Sequence, residues 1–206
     1  MKDNSGNLEN DALIFCANIL QNYDSPVLLL PTETVYGLFC KYNDEIAIEK
    51  IFSMKQREKS KRLQLIVPDI DALQDTGAII TDEVKIVAEK LCPGPLTIIV
   101  NSKNNSSEKT IGFRIPDYPF LLNLMQKTNL ILSATSANIS GGTPPTTVAE
   151  ALDMLEFPPD AVVDAGAVTD GKASTVVDMT GSEPKVLREG PISLRKIEEA
   201  LSCLQG

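Results

Sequence analysis

Pro31-Thr32-Glu33-Thr34-Val35-Tyr36-Gly37-Leu38 is the stretch on which the reading of this chain turns. It follows Val27 to Leu30, an apolar run of strand length. Pro31 has no N–H to give to a ladder, so the strand ends there. Two hydroxyls, a carboxylate and a phenol follow within five positions. Gly37 then permits a backbone angle or a close approach that a side chain would block. A strand that hands over to a dense polar turn is where α/β proteins place ligands. The ordinary alternative is a turn whose Thr and Glu cap a following helix.

Around that stretch lies an ordinary globular composition. The 206 residues are 43% apolar and 23% charged, enough for one domain with a good core. A net charge of −9 gives no global attraction to nucleic acid or to an anionic membrane, and limits any basic surface to a local patch. No apolar run approaches the roughly 18 residues of a membrane span, and the start lacks a signal-peptide pattern. The cysteines, Cys16, Cys40, Cys92 and Cys203, are widely spaced, which suggests reduced, buried thiols in a cytoplasmic protein. Histidine is absent. That excludes Ser-His-Asp and Cys-His catalysis and any His-ligated metal.

Working outward, Leu13, Cys16, Ala17 and Leu20 predict a first helix over about 9–22, after a frayed start over 1–8. Asp44 caps a second helix whose apolar side, Ile48, Ile51 and Phe52, ends in Lys55. Lys55 to Arg62 holds five cations in eight residues, which suits either a solvated helix C-terminus or a polyphosphate loop. Leu63 to Val67 reads as a strand. A helix from Thr81 or Asp82 ends at the rigid turn Pro93-Gly94-Pro95, and Leu96 to Val100 is a central strand. Residues 101–109 form a polar loop.

Thr110 to Pro116 is a strand carrying Arg114 among apolar residues. A charge there needs a partner, either an internal carboxylate or a ligand anion held by the guanidinium fork. Pro119 opens a helix with Leu121, Leu124 and Met125 inward. The strand Leu130 to Ala134 runs into a second polar turn, Thr135-Ser136-Ala137-Asn138-Ile139-Ser140-Gly141-Gly142, which is not a Walker loop. Thr147 and Glu150 make a capping box for a helix with Val148, Ala151, Leu152 and Leu155 inward. Strands follow at 161–164, 174–178 and from Lys185, and Ser193 caps a last helix with Leu194, Ile197, Leu201 and Leu204 inward. This intermixing argues for a mixed sheet covered by helices in a single domain over 1–206.

Taken together, the polar turn at 31–38, Lys55-Gln56-Arg57, Pro93-Gly94-Pro95-Leu96-Thr97, Arg114-Ile115-Pro116, Ser136-Ala137-Asn138-Ile139-Ser140-Gly141, and Ser174-Thr175-Val176-Val177-Asp178 followed by Leu187-Arg188-Glu189-Gly190 resemble the threonylcarbamoyl-AMP synthase family (Sua5/YrdC/TsaC), in its short single-domain form. The resemblance covers about residues 27–192. It implies an α+β fold of the YrdC/RibB-like type, a twisted mixed β-sheet flanked by helices around a concave cavity. It also implies a reaction in which L-threonine, bicarbonate and ATP give threonylcarbamoyl-AMP and pyrophosphate. A partner transferase then uses the product for the t6A37 modification of tRNA.

By matching motif position, Thr34, Arg114, Ser136 and Ser174 resemble the family's threonine-binding residues, with Arg114 on the carboxylate. Arg57, Lys61, Thr110, Asn138, Thr146 and Arg188 resemble its ATP-binding residues. Lys55, Arg57, Ser136 and Asn138 stand where the family has residues associated with activity. No protein metal site and no organic cofactor are implied; Mg²⁺ is expected through the ATP phosphates. Glu58 and Arg62 replace prolines usual in the family, so the basic loop is expected to be more flexible and more charged; Tyr118 stands where a His is common, with little effect on the chemistry expected. Two other functions fit parts of the pattern: a double-stranded RNA or tRNA-binding paralogue without synthase activity, whose binding would be weak and salt-sensitive, and a carbamoyl-transfer domain.

Overall fold

In the computed structural model, which describes residues 5–58, 62–103, 109–168 and 171–202, helices and strands alternate much as the sequence predicts. They fall into two units, residues 1–63 with 118–171 and residues 64–117 with 172–206.

The first unit is a mixed four-stranded sheet whose strands lie in the order 161–162, 28–30, 37–41 and 132–136. β1 (Leu28–Leu30) pairs antiparallel with β2 (Gly37–Lys41) and parallel with β7 (Ala161–Val162), and β2 pairs antiparallel with β6 (Leu132–Ser136). β2 is a correction to the sequence reading. The polar turn does not cap a helix; it closes a hairpin. Both sides of β2 are covered, so Leu38, Phe39 and Cys40 are all buried and no polar alternation marks the strand. Gly37 is needed for close approach: a Cβ would meet the Phe39 ring at 2.9 Å and the Thr135 carbonyl at 3.1 Å.

α2 (Glu45–Met54), capped by Asp44, lays Ala47, Ile51 and Met54 against Leu29, Leu38 and Cys40. α1 (Ser5–Asn22) contacts α4 (Pro119–Thr128), with Cys16 and Leu20 buried on the first and Leu121, Leu124 and Met125 on the second. α1 starts at Ser5, so residues 5–8 are helical rather than frayed. β6 ends at Ser136, two residues beyond the expected strand, and β7 is shorter than expected. The capping box of α5 (Val148–Met154) is present in both halves, but only Ala151 is buried; Leu152 faces outward. Burial raises the Cys16 thiol to about 11 and the Cys40 thiol to about 12.

The second unit contains β3 (Gln64–Ile66), β4 (Leu96–Asn101), β5 (Thr110–Arg114), β8 (Thr175–Asp178) and β9 (Lys185–Arg188), in the order β3-β5-β4-β8-β9. Strand parity sorts its two faces. Leu65, Leu96, Ile98, Val100, Phe113 and Val177 are buried on one side, where α3 (Asp82–Leu91) contacts β4 and α6 (Leu194–Leu201). Leu194 of α6 is exposed rather than inward, and Leu204 lies outside the described residues. The other face carries Gln64, Thr97, Gly112, Arg114 and Arg188, as the registers Ile66↔Arg114, Ile99↔Gly112, Thr97↔Val176 and Val176↔Arg188 require. A bulge in β9 sets Arg188, not Leu187, opposite Val176.

Gly190 passes directly over the chain that leads into β8. A Cβ there would stand 2.2 Å from the Thr175 nitrogen and 2.6 Å from the Ser174 carbonyl carbon, whereas at Gly181 the nearest atom would be 4.0 Å away. Gly190→Ala is therefore expected to lower stability by about 3 kcal/mol in urea unfolding, with Gly181→Ala within about 0.5 kcal/mol of the parent. Equal effects at the two positions would remove the close approach as the reason for Gly190.

Candidate active site

In the first unit the polar turn is closed from within. The Thr32 hydroxyl accepts from the N–H groups of Thr34 (3.0 Å) and Val35 (3.1 Å) and donates to the Val35 carbonyl (2.8 Å). The Thr34 hydroxyl stands 2.8 Å from that of Thr32. Tyr36 then joins the second polar turn: its N–H donates to Pro145 O (3.0 Å) and its carbonyl accepts from Ala137 N–H (2.9 Å). The phenol, fully buried, donates to Gly166 O (2.7 Å) and accepts from Ala165 N–H (3.0 Å). Desolvation raises its pKa. Sequence reading gave Tyr36 no such role, because its partners lie about 130 positions away.

Lys55 caps the C-terminus of α2 and is 1% exposed. A cation is favoured at that end of a helix. Its Nζ donates to Thr135 Oγ1 (3.1 Å) and to the Ser136 carbonyl. Ser136 donates its hydroxyl proton to Asn138 Oδ1, and Asn138 Nδ2 donates to Ile139 O (2.8 Å) and Gly142 O (2.7 Å), fixing the turn. The structure thus brings Lys55, Ser136 and Asn138 together. Thr34 precedes Gly37, which pairs with Ser136 across the β2–β6 ladder. Arg57 Nη2 donates to Arg62 O (3.0 Å). Thr146 donates from N–H (2.7 Å) and hydroxyl (3.1 Å) to Glu150 and accepts from Val168 N–H (2.9 Å). Lys61 lies outside the described residues, as does most of the loop 101–109.

In the second unit Arg114, Ser174 and Arg188 form one cluster. Arg114 is 4% exposed and its Nε donates to Gly94 O (3.2 Å), while Gly94 N–H donates to Ile115 O (2.9 Å). Arg188 donates from Nε to Ser174 O (3.0 Å) and from Nη2 to Ser174 Oγ (3.1 Å). Burial, and secondarily the like charge of Arg114, lower the Arg188 pKa. Two guanidiniums held near each other on a partly open face favour an anion. Thr110 lies on the same face as Arg114 but at the far end of β5, about 13 Å along the strand. It is not part of the cluster. Thr97 and Gln64, given no role by sequence reading, extend it: Thr97 Oγ1 stands 2.9 Å from Ser174 Oγ and donates to Gln64 Oε1 (2.7 Å). The Thr97 signal was its place in Pro93-Gly94-Pro95-Leu96-Thr97.

Burial, then the charge of Arg57, lower Lys55 from 10.5 to about 7. Between those values the unfolded chain holds a proton that the folded chain lacks, so stability rises with pH from about 7 to 10.5 and is lost as pH falls. Lys55→Met removes this slope. From pH 7 to pH 9 the parent is expected to gain on the order of 2 kcal/mol relative to Lys55→Met in urea unfolding. The buried thiols titrate in both proteins and cancel in the difference. Parallel curves would show that Lys55 keeps its proton.

A profile of the Sua5/YciO/YrdC family, described as "Telomere recombination", matches residues 24–190. The chain is 31% identical over 185 residues to the threonylcarbamoyl-AMP synthase of Bacillus subtilis, covering 86% of this chain and 54% of that protein. It spans about half the length of the first curated relatives it matches. The structure of Sua5 from Pyrococcus abyssi complexed with L-threonine superposes with a TM-score of 0.84 at 28% identity, over 92% of this chain and 57% of that one. The crystal structure of YciO from E. coli superposes with a TM-score of 0.78 at 26% identity, over 93% of both chains. The mixed fold, the order of the motifs and these matches agree: the chain belongs to the Sua5/YciO/YrdC family.

Proposed function

We propose that this chain is an L-threonylcarbamoyladenylate synthase, a nucleotidyltransferase joining threonine, bicarbonate and AMP. The observation that carries the reading is the pairing of Arg114 and Arg188 around Ser174 in a chain of the family whose curated members include threonylcarbamoyl-AMP synthases. The threonine ammonium gives a proton to solvent, and the free amine and bicarbonate then form the N-carboxylate and water. A carbamate oxygen then attacks the α-phosphorus of ATP, the bond to the β-phosphate oxygen breaks, and its electron pair leaves with pyrophosphate. The carbamate is already anionic, so the reaction asks for positioning and charge neutralisation rather than an imidazole base. That suits a chain without histidine.

Arg114 and Ser174 bind threonine, the guanidinium taking the carboxylate, with Thr34 and Ser136 as further threonine contacts. Lys55 and Arg57 neutralise charge that develops on the departing phosphates. Arg57, Lys61, Thr110, Asn138, Thr146 and Arg188 hold the nucleotide, all six assigned by motif position. Magnesium enters as part of the MgATP substrate. Its ligands there are phosphate oxygens and water. The product goes to a transferase that modifies adenosine 37 of tRNA. Among the described residues no helix is long and apolar enough to cross a membrane, and we place the reaction in the cytoplasm.

The test is pyrophosphate release from MgATP. It is expected only when L-threonine and bicarbonate are both present; release that ignores either one refutes the reading, and RNA retention or carbamoyl phosphate consumption in its place would redirect it. Arg57→Ala should lower turnover on the order of a hundredfold or more with the fold intact. Arg114→Ala should raise the threonine KM roughly tenfold to a hundredfold. A change confined to the ATP KM would remove Arg114 from the carboxylate.

A further inference from the structure

The hydroxyl of Ser174 has one proton and two lone pairs, and its neighbours decide how they are used. Thr97 Oγ1 donates its single proton to Gln64 Oε1 at 2.7 Å. Thr97 therefore has none left for Ser174, and the 2.9 Å contact between the two hydroxyls is a donation from Ser174 to Thr97. One lone pair of Ser174 Oγ accepts from Arg188 Nη2 at 3.1 Å. Among the described residues a single lone pair remains. Thr97 and Ser174 are 4% and 2% exposed, so solvent does little to reorient either hydroxyl.

We propose that Gln64 and Thr97 are positioning residues that fix Ser174 as a hydrogen-bond acceptor, so that Ser174 selects a donor group on the substrate rather than its carboxylate. The identity of that donor rests on the synthase reading: threonine offers its α-ammonium and its side-chain hydroxyl. The anionic carboxylate falls to the Arg114 guanidinium on the same face. A ligand with an acceptor at that place would face a lone pair and be rejected. A hydroxyl free to rotate would accept either partner, which is why the polarity of the relay, and not the presence of the serine, sets the selection.

The test is calorimetric titration with L-threonine, L-2-aminobutyrate, which lacks the hydroxyl, and 3-hydroxybutanoate, which lacks the ammonium. Thr97→Val is expected to weaken L-threonine about tenfold, and to weaken by less than about twofold the one analogue that lacks the group read by Ser174. Gln64→Leu frees the Thr97 proton to turn toward Ser174 and should reproduce that pattern, while Thr97→Ser should restore the parent's. Equal losses on all three probes, or a Thr97→Ser variant no better than Thr97→Val, overturn the proposal. If the parent chain binds no L-threonine, the synthase reading falls on its own. The relay is then decided by urea unfolding of Gln64→Leu, Thr97→Val and the double variant: non-additive midpoint shifts support the coupling, and additive shifts overturn it.

Discussion

Lys55 leaves water at the end of α2, and the local geometry of the first unit follows from how its Nζ is satisfied. A buried amine without acceptors would be costly. Here the two acceptors come from consecutive residues at the end of β6, Thr135 and Ser136. That requires the β2–β6 ladder to run to its last pair, Gly37 with Ser136, and so requires a residue without a side chain at 37. A neutral amine has two N–H bonds, which matches the two acceptors, and protonation adds a third donor.

The second unit solves a related problem with sheet parity. Its apolar side chains go to the helices, and its other face collects two arginines. β9 would present Leu187 to that face if it paired regularly with β8. The bulge shifts the register by one residue and presents Arg188 instead. Gly190 then lets the chain return against the Ser174 peptide, while Thr175 Oγ1 and Ile192 exchange hydrogen bonds at 2.7 and 3.0 Å. Backbone geometry thus brings the arginines to that face, where their side chains are tied to the Gly94 and Ser174 carbonyls.

Much of this was legible in the sequence where a local rule applied. Asp44, Thr147 and Ser193 announce their helices, and Pro31 ends its strand, because a cap or a missing N–H acts within a few residues. Arg114 was legible as a charge on an apolar strand. What escaped was set at long range. Lys55 reads equally well as the solvated end of a helix, since nothing nearby reveals the β6 acceptors 80 positions away. β2 has neither alternation nor a flanking proline, because both its faces are covered. The Arg188 bulge and the donation from Thr97 to Gln64, 33 positions apart, exist only once the strands are side by side.

The hydroxyls of the two units obey one rule that residue type alone does not express. Ser136 gives its proton to Asn138, Thr146 to Glu150, and Ser174, by elimination, to Thr97. Each of these oxygens is therefore left as an acceptor. A hydroxyl held this way has little rotational freedom left to lose when it meets a donor. Within each unit the residues behind the hydroxyls set that orientation: Asn138 and Glu150 in the first, Thr97 with Gln64 behind it in the second.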